Sequence, residues 1–269
     1  MLTKLPDDYL LEYCSDVTSQ CGEDGILQKV FEIIGTKNRL CVEFGANEGK
    51  HASNTWNLIV NHGWGGAQIE ASHELFPGLQ ATYADYPAVK CLQQAIEFEG
   101  ENSLDNTLAR LDLPMDIDLL SIDVDGNDYW MWESIRQCKA RVVLIEFNPT
   151  IPKHVAFVQE KNMEISQGCS VMALDLLAKT KGYELICVTA WNALFVEKSL
   201  FRAFHINDNS VARLCHNEHL MTYLSSMYDG TIATFGFNRL LWVDIPIDHE
   251  KIQMLPKEAR RKKPIAGAT

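Results

Sequence analysis

Two sets of residues in this 269-residue chain have types and spacings that could do chemistry. The first is E-F-G-A-N-E-G at 43–49, directly after an apolar run at 40–42. Its glycines permit a tight turn and a close backbone approach to a ligand. Glu70 ends a second apolar run 25 residues after Gly45. A carboxylate at that place can accept both hydroxyls of an adenosine ribose. The second set is Asp123 and Asp125 at the end of one run, with Glu146 and Asn148 at the end of the next. Oxygen ligands so placed can hold Mg²⁺ or another divalent cation. Such an ion would lower the pKa of a substrate hydroxyl. The same groups could equally bond the substrate directly, or be purely structural.

The glycine loop separates two classes of adenosine cofactor. A dinucleotide site needs G-x-G-x-x-G, which lets a helix N-terminus receive the pyrophosphate. Here the spacing is G-x-x-x-G, with Glu43 before it and Glu48 inside it. Two carboxylates repel a pyrophosphate and suit a cofactor carrying an ammonium and a sulfonium. S-adenosylmethionine meets that description and NAD does not.

These residues need a scaffold that collects strand ends. Apolar runs at 40–44, 67–69, 89–96, 118–122 and 141–145 read as buried strands, and helical patterns at 53–62, 102–111 and through Trp130, Trp132 and Ile135 fall between them. Such alternation predicts an α/β fold: a Rossmann-like, mostly parallel sheet with helices on both faces. A helix over 171–181 ends at Gly182, and runs at 183–189 and 193–196 follow as a C-terminal antiparallel hairpin. Its turn holds Trp191 and Asn192, which either line a substrate pocket or form an ordinary turn. The connection 149–170 is long and lies where open α/β sheets bind ligands, the usual place for a lid. Residues 199–247 read as an appended α/β element, with a β-like run at 232–245. The expected organisation is one domain over 1–247, with its core at about 15–197, and a tail over 248–269.

Three blocks in order carry a family resemblance. S-Q-C-G-E-D-G-I-L at 19–27, V-E-F-G-A-N-E-G at 42–49 and D-L-L-S-I-D-V-D-G at 118–126 resemble class I S-adenosylmethionine-dependent methyltransferases, and within them the FkbM type. The resemblance implies that Glu43, Gly45, Asn47 and Gly49 surround the methionine part of the cofactor. It implies that Glu70 holds the ribose with Ser72 beside it, that Gln20 closes over the cofactor, and that Asp123 faces the transferred methyl. The chain departs from the family's D-x-E-G-x-E in having Asp123-Val124-Asp125-Gly126-Asn127-Asp128. Metal-dependent catechol-type methyltransferases use acidic strand ends at comparable places, which extends the metal reading to Asp123, Asp125, Glu146 and Asn148. Without a metal, His51 or His154 could act as general base.

Bulk composition narrows the partners. The net charge is −12, with 24 Lys+Arg against 36 Asp+Glu, which opposes a nucleic-acid partner. The one basic cluster, Lys257 to Pro264, reads as a solvated tail or an electrostatic tether. No apolar run is long enough to span a membrane. Eight cysteines without a C-x-x-C pair read as free thiols in a reducing cytoplasm. The sequence thus predicts a cytoplasmic enzyme that methylates a hydroxyl, and after it an amine, of a small polar metabolite. A second copy of the chain remains an open partner. The rivals are an NAD-dependent oxidoreductase and a catalytically silent cofactor-binding subunit.

Overall fold

Strands and helices alternate as expected in the computed structural model, which describes residues 6–261. The central sheet holds β1 (Leu40–Phe44), β2 (Gly65–Glu70), β3 (Val89–Gln93), β4 (Asp116–Ile122), β5 (Lys139–Glu146), β6 (Tyr183–Val188) and β7 (Asn192–Glu197). Their order is β3-β2-β1-β4-β5-β7-β6. The first five pair in parallel, while β7 runs antiparallel to both β5 and β6. This is a Rossmann-like, mostly parallel α/β sheet.

Both faces of the sheet are covered, so successive strand residues feed different cores. Leu120, Val143 and Phe195 point to one side, packing with α4 (Leu104–Arg110), α5 (Asp128–Ser134) and α6 (Val171–Lys181). Leu119, Val142 and Leu194 point to the other, against α1 (Glu23–Ile34), α2 (Trp56–His62) and α3 (Phe76–Thr82). Full burial of each such side chain stabilises the fold by about 2 kcal/mol. Trp132 belongs to the first core, edge-on to Tyr183 and tilted against Phe195. Trp130 is half-buried and donates its indole N–H to the Gln159 carbonyl.

Some element limits differ from the pattern, each for a local reason. The helix expected from residue 53 starts at Trp56, because Ser53, Asn54 and Thr55 give their donors to Glu43. The run at 232–245 is not one strand. It divides into β9 (Ile232–Gly236), paired with β8 (Thr222–Ser226), and a tiny hairpin of β10 (Arg239–Leu240) and β11 (Ile245–Pro246). Gly236 at φ 80 breaks the run. A one-turn helix, α7 (Val211–Leu214), precedes them. Beyond 247 the Gln253 amide bonds both the N–H and the carbonyl of Ile232, tying this stretch to β9. Of the basic cluster, Lys262, Lys263 and Pro264 lie outside the described residues. Among the described residues no helix is long and apolar enough to cross a membrane.

The entrance to β1 is fixed by one buried acid. Asp118 accepts from the N–H groups of Lys37, Asn38 and Arg39 and from the Arg141 guanidinium at 2.8 Å. Arg141 in turn caps the end of α1 at the carbonyls of Ile34 and Gly35. Burial alone would raise the Asp118 carboxyl, but these donors outweigh it and hold it below the usual carboxylate range. A depressed folded pKa gives stability that is present above the unfolded value of about 3.9 and lost as pH falls through the folded value. Asp118→Asn is therefore expected to cost about 3 kcal/mol at pH 7 in urea unfolding. The gap to wild type should narrow below about pH 4, and a constant gap would refute the assignment.

Candidate active site

The carboxyl ends of β1, β2, β4 and β5 open onto one cavity of about 730 Å³. Gln20, Glu43, Gly45, Asn47, His51, Glu70, Asp123, Asp125 and Glu146 all line it, as do Trp191 and Asn192. Four of the sequence-derived candidates do not. Gly49, at φ 83, packs on α3, where an added Cβ would lie 2.7 Å from Leu79 and Tyr83. Ser72 caps the turn before α3, accepting from the N–H groups of Glu74 and Leu75. His154 is exposed and outside the cavity. Asn148 is outside it too, and its Oδ1 already accepts from the N–H and hydroxyl of Thr150.

The glycine loop is held from both sides. Gly45 and Ala46 both donate to the Ile69 carbonyl. A Cβ on Gly45 would fall 1.6 Å from the Asp123 carbonyl, so β1 and β4 approach too closely for any other residue. Glu70 is buried, accepting from Asn47 N–H at 2.8 Å and Ser72 N–H at 2.7 Å. Each of its oxygens retains lone-pair capacity toward the cavity. Asn47, Ala52 and Asp125 adopt left-handed φ values of 55°, 59° and 52°. Backbone of this kind concentrates at ligand sites.

The carboxylates of the cavity fall into two electrostatic classes. Glu43 is saturated: Ser53 and Thr55 hydroxyls donate at 2.7 Å, Asn54 N–H at 2.9 Å and Ser121 hydroxyl at 3.3 Å. Burial raises its pKa while these four bonds oppose the rise. Asp123, Asp125 and Glu146 are different. Each has an oxygen within 4.8 Å of the other two. Burial raises Asp123, and the charges of Asp128, Asp125 and Glu43 raise it further. Glu146 is raised by burial, then by Asp123, Asp128 and Asp125. A cation placed among the three acids would relieve the repulsion that raises Asp123 and Glu146.

Residues that the sequence reading left without a role complete the site. Glu23, buried in the 19–27 block, accepts from Thr189 hydroxyl and Asn192 Nδ2, and so locks the β6–β7 turn. Asp24 gathers the N–H groups of Val17, Thr18 and Ser19 beside Gln20. The 149–170 connection is pinned at its base by buried Gln159, which bonds Asn127, Ile165, Gln167 and Gly168. It presents Met163, Ile165 and Ser166 to the cavity. Leu241 and Trp242, between β10 and β11, reach the same cavity, with Trp242 5.1 Å from Trp191. Acidic residues at a helix start ordinarily mark only the helix dipole, so Glu23 and Asp24 carried no distinguishing signal.

No family model and no curated protein matches the chain. Among solved structures it is similar to the CMeT domain of the citrinin polyketide synthase, at 10% identity and a TM-score of 0.44, covering 65% of this chain and 51% of that one. It is similar to the CurJ carbon methyltransferase at 9% identity and TM-score 0.43, covering 65% and 52%. It is also similar to precorrin-6y C5,15-methyltransferase from Geobacter metallireducens, at 12% identity and TM-score 0.42, covering 68% and 92%. The chain spans about half the length of the first two. Likeness at this level transfers no residue role.

Glu43→Ala should unfold the 53–55 turn and cost about 3–5 kcal/mol, read as a lower denaturation midpoint. His51→Ala, at an exposed rim position, should stay within about 0.5 kcal/mol of wild type. A stable Glu43→Ala protein would remove Glu43 from its anchoring function.

Proposed function

We propose that this chain is an S-adenosylmethionine-dependent methyltransferase, FkbM-type or a close relative, acting in the cytoplasm on a hydroxyl, and after it an amine, of a small polar metabolite. One observation carries the reading. The glycine loop and Glu70 share a cavity with four further carboxylates, Glu43, Asp123, Asp125 and Glu146, and no Lys or Arg lines it among the described residues. A pyrophosphate would meet only repulsion there, whereas a cationic cofactor is attracted. Eight free thiols suit a reducing compartment.

The donor set fits the cofactor at both ends. Glu70 would offer acceptors to two ribose hydroxyls, and the loop at 45–47, which lines the same cavity, would hold the methionine part. When bound, S-adenosylmethionine supplies a methyl group on a positively charged sulfur. Gln20, exposed where it lines the cavity, would close over the cofactor. Asp123 and Glu146 orient the acceptor and take its proton. His51 at the rim is the alternative base.

A divalent cation such as Mg²⁺ is a second reading, favoured by the convergence of Asp123, Asp125 and Glu146. Oxygen-only carboxylate sets with retained waters suit Mg²⁺. Asn148 does not complete the set, since Thr150 occupies its amide oxygen. The ion would lower the pKa of an acceptor hydroxyl.

S-adenosylhomocysteine should raise the thermal midpoint as its concentration passes its dissociation constant, and NAD should not. A shift with NAD alone would establish the dinucleotide rival. Glu70→Ala should weaken S-adenosylhomocysteine by about 1–3 kcal/mol in calorimetry. Unchanged affinity would take Glu70 out of the ribose site. A silent subunit would bind the cofactor, yet cells carrying Asp123→Ala would show no change in methylated metabolites.

A further inference from the structure

The hairpin of β8 and β9 forms a sheet of its own, separate from the central sheet. Phe237 N–H donates to the Met221 carbonyl, and Met227 N–H to the Thr231 carbonyl. Tyr223 pairs with Phe235 and Ser225 with Ala233 in the same register, so Met221, Tyr223, Ser225 and Met227 turn their backbone groups to β9. Thr222, Leu224 and Ser226 alternate with them and turn theirs to the other side. There the N–H and C=O groups of these three meet no partner among the described residues. The outer edge of β9 differs, because Gln253 bonds both the N–H and the carbonyl of Ile232. The open edge of the hairpin is β8.

An exposed edge is ordinarily guarded by charge, by proline or by a covering segment. β8 reads T-Y-L-S-S and carries neither charge nor proline. Two strands alone are marginal in water, and further strands are what stabilise such a sheet. Large apolar side chains surround the edge. Leu224 is 65% exposed, Phe235 52% and Tyr228 98%, with Tyr223 and Met227 exposed on the same hairpin and Leu255 beside Gly230 of its turn. At roughly 200 Å² for a whole large side chain, the exposed fractions amount to about 700 Å², against about 800 Å² for each partner of a standard interface. Charge favours the same place. In a chain of net charge −12, the segment 221–247 holds only Asp229, Arg239 and Asp244 as charged residues, and the last two bond each other. Two copies can meet here without the repulsion that their net charge imposes.

We propose that β8 is a self-association strand: two copies of this chain pair β8 with β8, antiparallel, about a two-fold axis at Leu224. The contact is isologous, so one edge serves both copies. Leu224 of each copy exchanges N–H···O=C bonds with Leu224 of the other, and Thr222 does so with Ser226. The open donors and acceptors are thereby met, and the two hairpins become one four-stranded sheet. The leucine side chains face each other across the axis. On the opposite face Tyr223 comes against Ser225 of the second copy, a large residue beside a small one. No charge lies within the paired strands, so no like charges are set opposite each other. An unrelated strand could meet the same backbone groups. A second copy also supplies an equal apolar area in an equally neutral surround, which is why it is the occupant proposed.

The test is sedimentation equilibrium of the full chain over a concentration series, with a cross-linking arm that reads the register. Wild type should be a dimer. Leu224→Lys, which sets two ammonium groups against each other at the axis, should weaken the dimer tenfold or more. Its unchanged circular dichroism would show that the fold is intact. Under mild oxidation Leu224→Cys should give a disulfide-linked dimer, since antiparallel partners that exchange both bonds lie about 5.5 Å apart at Cα, within disulfide reach. Thr222→Cys alone should not cross-link, but mixed with Ser226→Cys it should. Wild type under the same oxidant controls for the native thiols. A wild-type chain that stays monomeric throughout overturns the proposal and leaves the edge to another partner. So does a dimer that Leu224→Lys does not weaken, or one in which Thr222→Cys links to itself as readily as Leu224→Cys.

Discussion

Buried carboxylates that collect backbone N–H groups hold this structure together. A parallel sheet leaves every strand end to be met by a loop with few bonds of its own. Here the sheet and helices reach into those loops with acids. Asp118 fixes 37–39, Asp105 fixes 136–138, Asp24 fixes 17–19 and Asp128 fixes the turn at 124–126. Burying an ionised carboxylate costs several kcal/mol. Two to four charge-assisted bonds of about 1.5–3 kcal/mol each offset that cost, and loops without secondary structure gain a defined path.

The same rule separates structural acids from reactive ones. Glu43 sits in the cavity wall, yet its four donors come from the protein and leave it little to offer a ligand. Glu70 spends only half its capacity on Asn47 and Ser72. Asp123 and Glu146 are part-buried with chiefly other acids for company, so burial and their neighbours' charges raise both. Counting donors around each carboxylate thus ranks the cavity from scaffold to chemistry, which position along the chain does not do.

Much of the scaffold was legible in the sequence because buried parallel strands read as unbroken apolar runs. The helix at 171–181 agrees at both ends, since Ser170 caps it and Gly182 stops it with a left-handed turn. The cavity residues were legible for a related reason: strand-end acids have no other place to go in such a sheet. What could not be read was long-range bonding. Glu23 meets Asn192 across 169 residues, and nothing local marks either one. Asn148 looked like a ligand by position, but its neighbour Thr150 claims it. The 232–245 run misled for the opposite reason, because apolar residues there face outward, as Phe235, Leu240 and Ile245 do.

The cavity takes residues from Gln20 at one end of the chain to Trp242 near the other. All seven strands of the sheet exist once residue 197 has been made, but the aromatic wall does not. At about 5–20 residues per second, a nascent chain spends a few seconds with its sheet complete and its cavity open on that side. The site is thus finished last during synthesis. A message truncated shortly after β7 would encode the whole Rossmann-like sheet without Trp242's side of the pocket.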